Sequence, residues 1–217
     1  MCGRFYINID EKAMKEIVEA AERSTPTRSE PEIKFDGEIF PTDVVPVQTG
    51  VREYRGMKWG FAGFDSKPVI NARSETALTK PTFRESMLQR RCLIPASGYF
   101  EWLKSGRKKN KYKFFQPTSL IFMAGCWRVE TGLKLPSFVI LTRAATPELN
   151  NFHNRMPVII PRERAESWLQ NSPEAMNTPV LELAYREAES PRAQGTLFPL
   201  LPDENVENFQ RQHRCRA

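Results

Sequence analysis

The sequence predicts a single α+β domain with a mainly antiparallel, curled or barrel-like sheet and flanking helices. Two observations predict this class: predicted strands outnumber predicted helices, and most connections are too short to hold a crossover helix. A chain of 217 residues with 40% hydrophobic and 11% aromatic residues can also form one core. We therefore expect one domain over 1–217, with its core at about 1–200 and a mobile polar tail at 201–217.

Four segments have the pattern of helices. The first buries apolar residues that recur at helical spacing: Met14, Ile17, Val18 and Ala21. Asp10 is its predicted N-cap, and Glu11 lies in its first turn. The second is predicted to run from Pro81 to about Gln89 and to bury three residues: Phe83, Met87 and Leu88. A third follows Pro161, which suits a first helical position, and ends before Pro173. A fourth covers 181–188.

The remaining apolar segments are short and are separated by glycine, proline and asparagine, which is typical of strands. The predicted strands are Val44–Val47, Cys92–Pro95, Tyr99–Leu103, Lys111–Phe115, Leu120–Trp127, Phe138–Leu141, Met156–Ile160 and Leu197–Leu201. Residues 24–40 are predicted to form a long loop.

Composition excludes several classes of function. No apolar run approaches the roughly 20 residues of a membrane helix, and acidic residues interrupt the first twenty positions, which argues against a secretory signal. The four cysteines include no C-x-x-C pair and there are only two histidines, so zinc-finger ligand sets cannot be assembled. Nucleotide-binding glycine loops are absent from the sequence. We expect a cytoplasmic protein without metal or cofactor; its net charge of +6 permits a phosphate-bearing partner.

The chain begins M-C-G-R-F, which places Cys2 directly behind Met1. If Met1 is removed, Cys2 carries an α-amine and a thiol on adjacent carbons. An α-amine has a pKa near 8, so about a tenth of it is unprotonated at neutral pH. This amine can form a Schiff base with an aldehyde, and the thiol can then close onto the imine carbon to give a thiazolidine. The alternative is an ordinary buried thiol behind a retained Met1.

Glu101 lies in the segment S-G-Y-F-E-W-L. In a strand, Tyr99, Glu101 and Leu103 share one face while Phe100 and Trp102 point to the other. A carboxylate among aromatic rings is desolvated, which raises its pKa toward the range of a general acid or base. The alternative is an edge-strand glutamate that faces water.

Two further polar residues lie at predicted strand ends. His153 precedes the apolar segment M-P-V-I-I and could transfer protons near neutral pH, or it is a loop histidine without a special role. Asn71 follows P-V-I, and its amide could orient a substrate carbonyl or hydroxyl, or it caps a turn.

Basic and aromatic residues accompany these candidates along the chain. Arg4, Arg73 and Arg155 lie near Cys2, Asn71 and His153 in sequence, and Lys58 and Trp59 add charge and a flat ring. Cations and flat rings suit single-stranded nucleic acid. The alternatives are a salt bridge between Arg73 and Glu75 and, for the basic run at 107–113, a solvated hairpin tip.

Taken together, five motifs in order resemble the SRAP family, the SOS-response-associated peptidases or abasic-site processing proteins. The motifs are M-C-G-R-F at 1–5, W-G at 59–60, N-A-R-S-E-T at 71–76, R-C-L-I-P-A-S-G-Y-F-E-W at 91–102 and H-N-R-M-P-V-I at 153–159. The resemblance covers roughly residues 1 to 200.

The resemblance implies a protein that crosslinks to abasic sites in single-stranded DNA through Cys2, shielding the lesion as a thiazolidine. It implies that Asn71, Glu101 and His153 assist catalysis, and that Arg4 and Arg73 grip phosphates. It also implies peptidase activity, which we interpret as self-removal of Met1. The expected partners are abasic single strands and junctions of single and double strands, bound by a monomer on the nucleoid.

The sequence departs from the family in the shorter loop A-G-F-D-S-K-P after W-G and in a weakly matching tail after Gly195. Both departures concern the preferred DNA structure. Two alternative functions remain open. An N-terminal-nucleophile amidase would also begin Met-Cys-Gly, but it would use an Asn-Gly pair that this sequence lacks. A non-catalytic binder of single-stranded DNA would use only the arginines and aromatic residues.

Overall fold

The computed structural model describes residues 2–25, 32–63, 65, 67–106 and 108–188. In this part of the chain the strands are β1 (Phe5–Ile7), β2 (Gly37–Ile39), β3 (Val44–Gly50), β4 (Glu53–Trp59), β5 (Asn71–Arg73), β6 (Arg91–Ala96), β7 (Gly98–Ser105), β8 (Lys108–Phe115), β9 (Ile121–Arg128), β10 (Ser137–Ala144), β11 (Arg155–Pro157) and β12 (Ala184–Glu187). The α-helices are α1 (Lys12–Ser24), α2 (Pro81–Gln89) and α3 (Ala165–Leu169), and 3-10 turns lie at Arg162–Arg164 and Pro173–Met176.

The strands form two mostly antiparallel sheets. The first has the order β12-β8-β7-β1-β2, and the second has the order β11-β10-β4-β3-β6-β9, with β5 beside β10. Strand β9 also pairs with β10, which bends the second sheet back on itself. Because β4 meets β10 over only two residue pairs and β3 meets β6 at one, the sheet is curled without closing as a regular barrel. The predicted fold class is confirmed.

Strands β6 and β7 are nearly continuous, and the chain passes from the second sheet to the first between them. Ser97 secures this crossing, because its N–H donates to the Tyr6 carbonyl and its hydroxyl accepts the Asn8 N–H. Glycine is required at position 98, where a Cβ would lie 2.3 Å from the Phe114 carbonyl oxygen. The crossing sends the second half of R-C-L-I-P-A-S-G-Y-F-E-W, with Glu101, into the first sheet.

Two apolar clusters stabilise the fold. One lies between the sheets and includes Phe5, Trp59 and Phe138. The other lies on the opposite side of the second sheet, beneath α2 and α3, and includes Phe83 and Trp168. Burial of this apolar surface is the main favourable term in folding.

The helix predictions are confirmed in part. The four apolar residues predicted for α1 are all buried, but Glu11 is the N-cap and Asp10 lies in the preceding turn, where its N–H donates to Asn8. The predicted limits of α2 match those observed. Leu88 is 49% exposed, however, because the helix turns Phe83, Ser86 and Met87 inward. The third helix is short and begins with a 3-10 turn after Pro161.

Three other predictions differ from the structure. The helix predicted at 181–188 is wrong, since Ala184–Glu187 is an edge strand that pairs with β8. The predicted loop at 24–40 contains β2. The basic run is not confined to a hairpin tip, because Lys108–Phe115 forms β8. The strand predicted at Leu197–Leu201 lies outside the described residues.

Neighbouring residues of α2 provide a test of this packing. Replacing the fully buried Met87 by Ala should lower the free energy of unfolding by about 2–5 kcal/mol, because it leaves a cavity. Replacing the half-exposed Leu88 by Ala should change it by about 0.5 kcal/mol or less. Urea denaturation measures both; similar losses for the two variants would mean that α2 presents a different face to the sheet.

Candidate active site

The N-terminal strand fixes the position of the candidate nucleophile. Strand β1 lies inside the first sheet, where Phe5 is opposite Tyr99 of β7 on one side and Ile39 of β2 on the other. The Phe100 N–H also donates to the Arg4 carbonyl, so the pairing extends one residue toward the N-terminus. A terminus that would otherwise fray is thereby held, and Cys2 lies fully buried at the edge of the core.

Asn71 holds the backbone of Cys2. Strand β5 pairs in parallel with β10, which places Asn71 opposite Ile140. The Asn71 side-chain Nδ2 donates to the Cys2 carbonyl oxygen at 2.9 Å. Its Oδ1 is buried and has no hydrogen-bond partner among the described residues. This arrangement leaves one amide acceptor beside Cys2 that a bound hydroxyl or amine could satisfy.

Glu101 is a buried carboxylate beside the cysteine. Its residue is 6% exposed, and burial raises the pKa of its carboxyl group. Burial is also the main cause of the raised pKa of the Cys2 thiol, and the charge of Glu101 raises that pKa further. Burial is also the main cause of the raised pKa of the Tyr99 hydroxyl, and the charges of Cys2 and Glu101 raise that pKa further. The pairing of β1 with β7, in which Phe5 lies opposite Tyr99 and the Phe100 N–H donates to the Arg4 carbonyl, brings Glu101 alongside the residues that precede β1.

The loop that carries His153 packs against the strand pair that carries Glu101. The ring of Phe152 lies 5.0 Å from that of Tyr112, the cross-strand partner of Glu101, and 5.1 Å from that of Phe114. The Arg155 N–H donates to Nδ1 of His153 at 2.9 Å. Burial is the main cause of the lowered pKa of His153. A neutral imidazole with Nδ1 as acceptor carries its proton on Nε2 and can donate it there.

Arg155 is committed to an ion pair. Its Nη1 and Nη2 donate to the two carboxylate oxygens of Glu75 at 2.6 and 2.8 Å, and Nη2 also donates to the Thr142 carbonyl. Arg155, and not Arg73, is therefore the salt-bridge partner of Glu75. To bind phosphate, Arg155 would have to exchange these contacts, and its DNA contact stays a prediction.

Arg4 lies on the outer face of the first sheet among aromatic rings. Its guanidinium is 4.2 Å from the ring centre of Phe40 and 5.2 Å from that of Trp102, and it pairs with Glu38 at 3.4 Å. Lys111 also pairs with Glu38. Arg73 is exposed at the end of β5 and forms no ion pair within the described ranges. Both arginines stay predicted DNA contacts.

The structure corrects the prediction for Trp59. This residue is fully buried, and its indole N–H donates to the Ile70 carbonyl at 3.0 Å, so it cannot stack on a base. Trp59 instead stabilises strand β1 from the core, because its ring packs against that of Phe5, with the ring centres 5.1 Å apart. Lys58 is half-buried next to it in β4, and its DNA contact stays a prediction.

Sequence reasoning missed the partners that orient these residues. Glu38 and Phe40 fall in the segment predicted to be a loop, so nothing in the sequence linked them to Arg4. Phe152 carried no signal beyond its position next to His153. Across the described residues, no group of three or more His, Cys, Asp or Glu side chains could hold a metal ion. None of the helices in the described ranges is long and apolar enough to span a bilayer.

The buried thiol of Cys2, the Asn71 amide bound to its carbonyl and the buried carboxyl group of Glu101 define a candidate active site between the two sheets. The family model described as SOS response associated peptidase (SRAP) matches residues 1–194, and the chain belongs to this family.

The chain is 32% identical over 179 residues to the abasic site processing protein YedK of Escherichia coli, which covers 78% of this chain and 80% of YedK. It is 34% identical over 106 residues to the abasic site processing protein YoaM of Bacillus subtilis, in a match that covers 46% of this chain and 47% of YoaM. A solved protein from Bordetella bronchiseptica shares the fold, with a TM-score of 0.70 at 21% identity over 87% of this chain and 100% of that one.

The ion pair between Arg155 and Glu75 predicts that the free energy of unfolding depends on pH. The hydrogen bond from Arg155 lowers the pKa of Glu75 from 4.5 to about 2. A depressed carboxylate pKa contributes stability above about pH 4.5 that is lost as the pH falls toward about 2. Because the Glu75 side chain is 50% exposed, we expect less than about 1 kcal/mol. Urea denaturation of Glu75→Gln and the original protein at several pH values should show a stability difference that shrinks over this window. A difference that does not change with pH would contradict the assignment.

Proposed function

We propose that this protein processes abasic sites in single-stranded DNA by bonding covalently to the lesion through Cys2. The observation that carries the proposal is the placement of Cys2 between the Asn71 amide, which binds its carbonyl, and the buried carboxyl group of Glu101. The relatives named above are described as abasic site processing proteins, which supports the same substrate. An abasic deoxyribose in its ring-opened form presents the aldehyde that this chemistry needs.

The proposed reaction begins with the α-amine. While Met1 is attached, the Cys2 nitrogen is an amide, so removal of Met1 must come first. The free amine then adds to C1′ of the aldehyde, and loss of one water gives a Schiff base. The thiol sulfur adds to the imine carbon while the thiol proton passes to the imine nitrogen. The product is a thiazolidine, and the net change is the loss of one water.

Glu101 serves as the acid and base of these steps. Because its pKa is raised, the carboxyl group is protonated at higher pH than an exposed glutamate and can donate to the departing hydroxyl. The resulting carboxylate can accept a proton from the thiol during ring closure. This help is needed, because burial keeps the Cys2 thiol protonated.

Asn71 and His153 complete the proposed site. The buried Oδ1 of Asn71 accepts a hydrogen bond from the Cys2 amine or the sugar hydroxyl. His153 donates from Nε2 to the sugar ring oxygen, which favours the open aldehyde, or assists reversal of the crosslink. Arg4, Arg73 and Lys58 bind the flanking phosphates.

The Cys2 side chain is fully buried, so the sugar can reach it only when the surroundings of the residue change. We propose that removal of Met1 is this change, since it also creates the reactive amine. The peptidase activity implied by the family name would then be directed at the protein's own first peptide bond.

Crosslinking to an abasic oligonucleotide tests the covalent step. Protein that has lost Met1 should give a heat-stable band in a denaturing gel. The Cys2→Ser variant keeps the amine but lacks the thiol, so it should give a band only when borohydride reduces the imine. Glu101→Gln should slow band formation by about 10²-fold. Intact mass spectrometry of each variant must show that Met1 is absent; Met1 retained only in Glu101→Gln would indicate self-processing. A stable band from Cys2→Ala would refute the role of the thiol.

The salt dependence of DNA binding tests the phosphate contacts. Arg73→Ala should lower the slope of log affinity against log salt for single-stranded DNA by roughly 0.7, the value of one phosphate contact. The matched control is Arg84→Ala on the exposed face of α2, which should leave the slope unchanged. Fluorescence anisotropy with an intact oligonucleotide measures both. Equal slopes for Arg73→Ala and the original protein would assign Arg73 to the fold.

A further inference from the structure

A second recess lies outside the residues assigned to the Cys2 site. It is a groove of about 820 Å³ between α1, the β3–β4 turn, the β8–β9 connection and the segment that follows β11. None of its lining residues is a predicted catalytic or DNA-binding residue. The groove is therefore a separate candidate binding site.

Three arginines line this groove: Arg23, Arg52 and Arg162. All three are exposed, and within the described chain none of their guanidinium groups forms an ion pair or a side-chain hydrogen bond. Arg162 and Arg52 both act on the hydroxyl of Tyr54, where they oppose the rise in its pKa that burial causes. Tyr54 itself lines the groove together with these two arginines. Two glutamates, Glu16 and Glu163, also line the groove, and Glu163 directly follows Arg162 in the chain.

The rest of the lining is mainly aliphatic. It includes Ile17, Leu120, Ile159 and Leu181, which belong to or pack against the core between the sheets, and its two aromatic residues, Tyr54 and Phe122, are half-buried. Nucleobases bind best to exposed aromatic faces, whereas aliphatic surface suits the aliphatic side chains of a peptide.

We propose that this groove binds an acidic peptide segment of a partner protein, with its carboxylates on the arginines and its aliphatic side chains on the apolar lining. Guanidinium groups bind carboxylates through paired hydrogen bonds, and unpaired arginines need not first give up another anion. The charge of the three arginines and the aliphatic lining are complementary to such a segment. Because its lining residues are separate from the Cys2 site, a partner could stay bound while the protein holds DNA.

The test uses the processed full-length protein and a fluorescein-labelled peptide of about eight residues that alternates aspartate and leucine. Anisotropy at low salt should show saturable binding that weakens as salt is added. The double variant Arg52→Glu/Arg162→Glu should weaken this binding at least tenfold, while Arg84→Glu on α2 should not. Arg23→Glu, on the exposed last turn of α1, provides an independent variant should the double variant fail to fold by circular dichroism.

Two control peptides and an oligothymidine distinguish between the possible occupants of the groove. A peptide that alternates aspartate and serine should bind at least tenfold more weakly than the aspartate–leucine peptide, and one that alternates lysine and leucine should not bind. Absence of binding by the aspartate–leucine peptide, or equal affinity for the double variant, would overturn the proposal. So would an oligothymidine whose binding is lost in the double variant, since the groove would then belong to DNA. Crosslinking to abasic DNA, assayed in parallel, should be unchanged in the double variant and reports separately on the proposed function.

Discussion

The site depends on the pairing of β1 inside the first sheet. Because this short strand is hydrogen-bonded on both sides, the backbone just before it is fixed, and the Asn71 amide can bind the Cys2 carbonyl at 2.9 Å. The register of β1 against β7 also decides which face of β7 meets the cysteine. A shift of one residue would replace Glu101 by Phe100 on that face and remove the carboxylate. The crossing at Ser97 and Gly98 holds that register in place.

Burial favours one order of chemical steps. The low-dielectric surroundings raise the pKa of both the Cys2 thiol and the Glu101 carboxyl group, so both stay protonated to higher pH than their exposed counterparts. A protonated thiol is a poor nucleophile, which disfavours a first step in which sulfur attacks an amide. An α-amine is a neutral nucleophile and needs no thiolate. In the reaction proposed above, the raised pKa values therefore support a first step by the amine and a later step by the thiol.

The sequence predicted the fold class, the buried face of α1 and the limits of α2, because regular periodicity survives in the tertiary structure. The sequence-based predictions were wrong where tertiary contacts determine the local structure. Residues 181–188 contain helix-forming residues, yet the open edge of β8 captures Ala184–Glu187 as a strand. The sequence around Trp59 does not distinguish an exposed ring from a buried one. The packing of Phe5 against Trp59 in the structure shows that the ring is buried. The resemblance of the motifs implied roles for Cys2 and Glu101 but not their positions, and the contacts of Arg4 with Glu38 and Phe40 also required the fold.

The basic residues around the site differ in what they must give up to bind DNA. Arg155 would lose a bidentate ion pair and a bond to the Thr142 carbonyl, contacts that also hold the backbone next to His153. Arg4 would exchange only a single contact of 3.4 Å with Glu38, and Lys111 can stay with that carboxylate. The rings of Phe40 and Trp102 keep the Arg4 guanidinium in place during such an exchange. A phosphate near β1 would therefore meet an oriented cation, while Arg155 continues to position the imidazole.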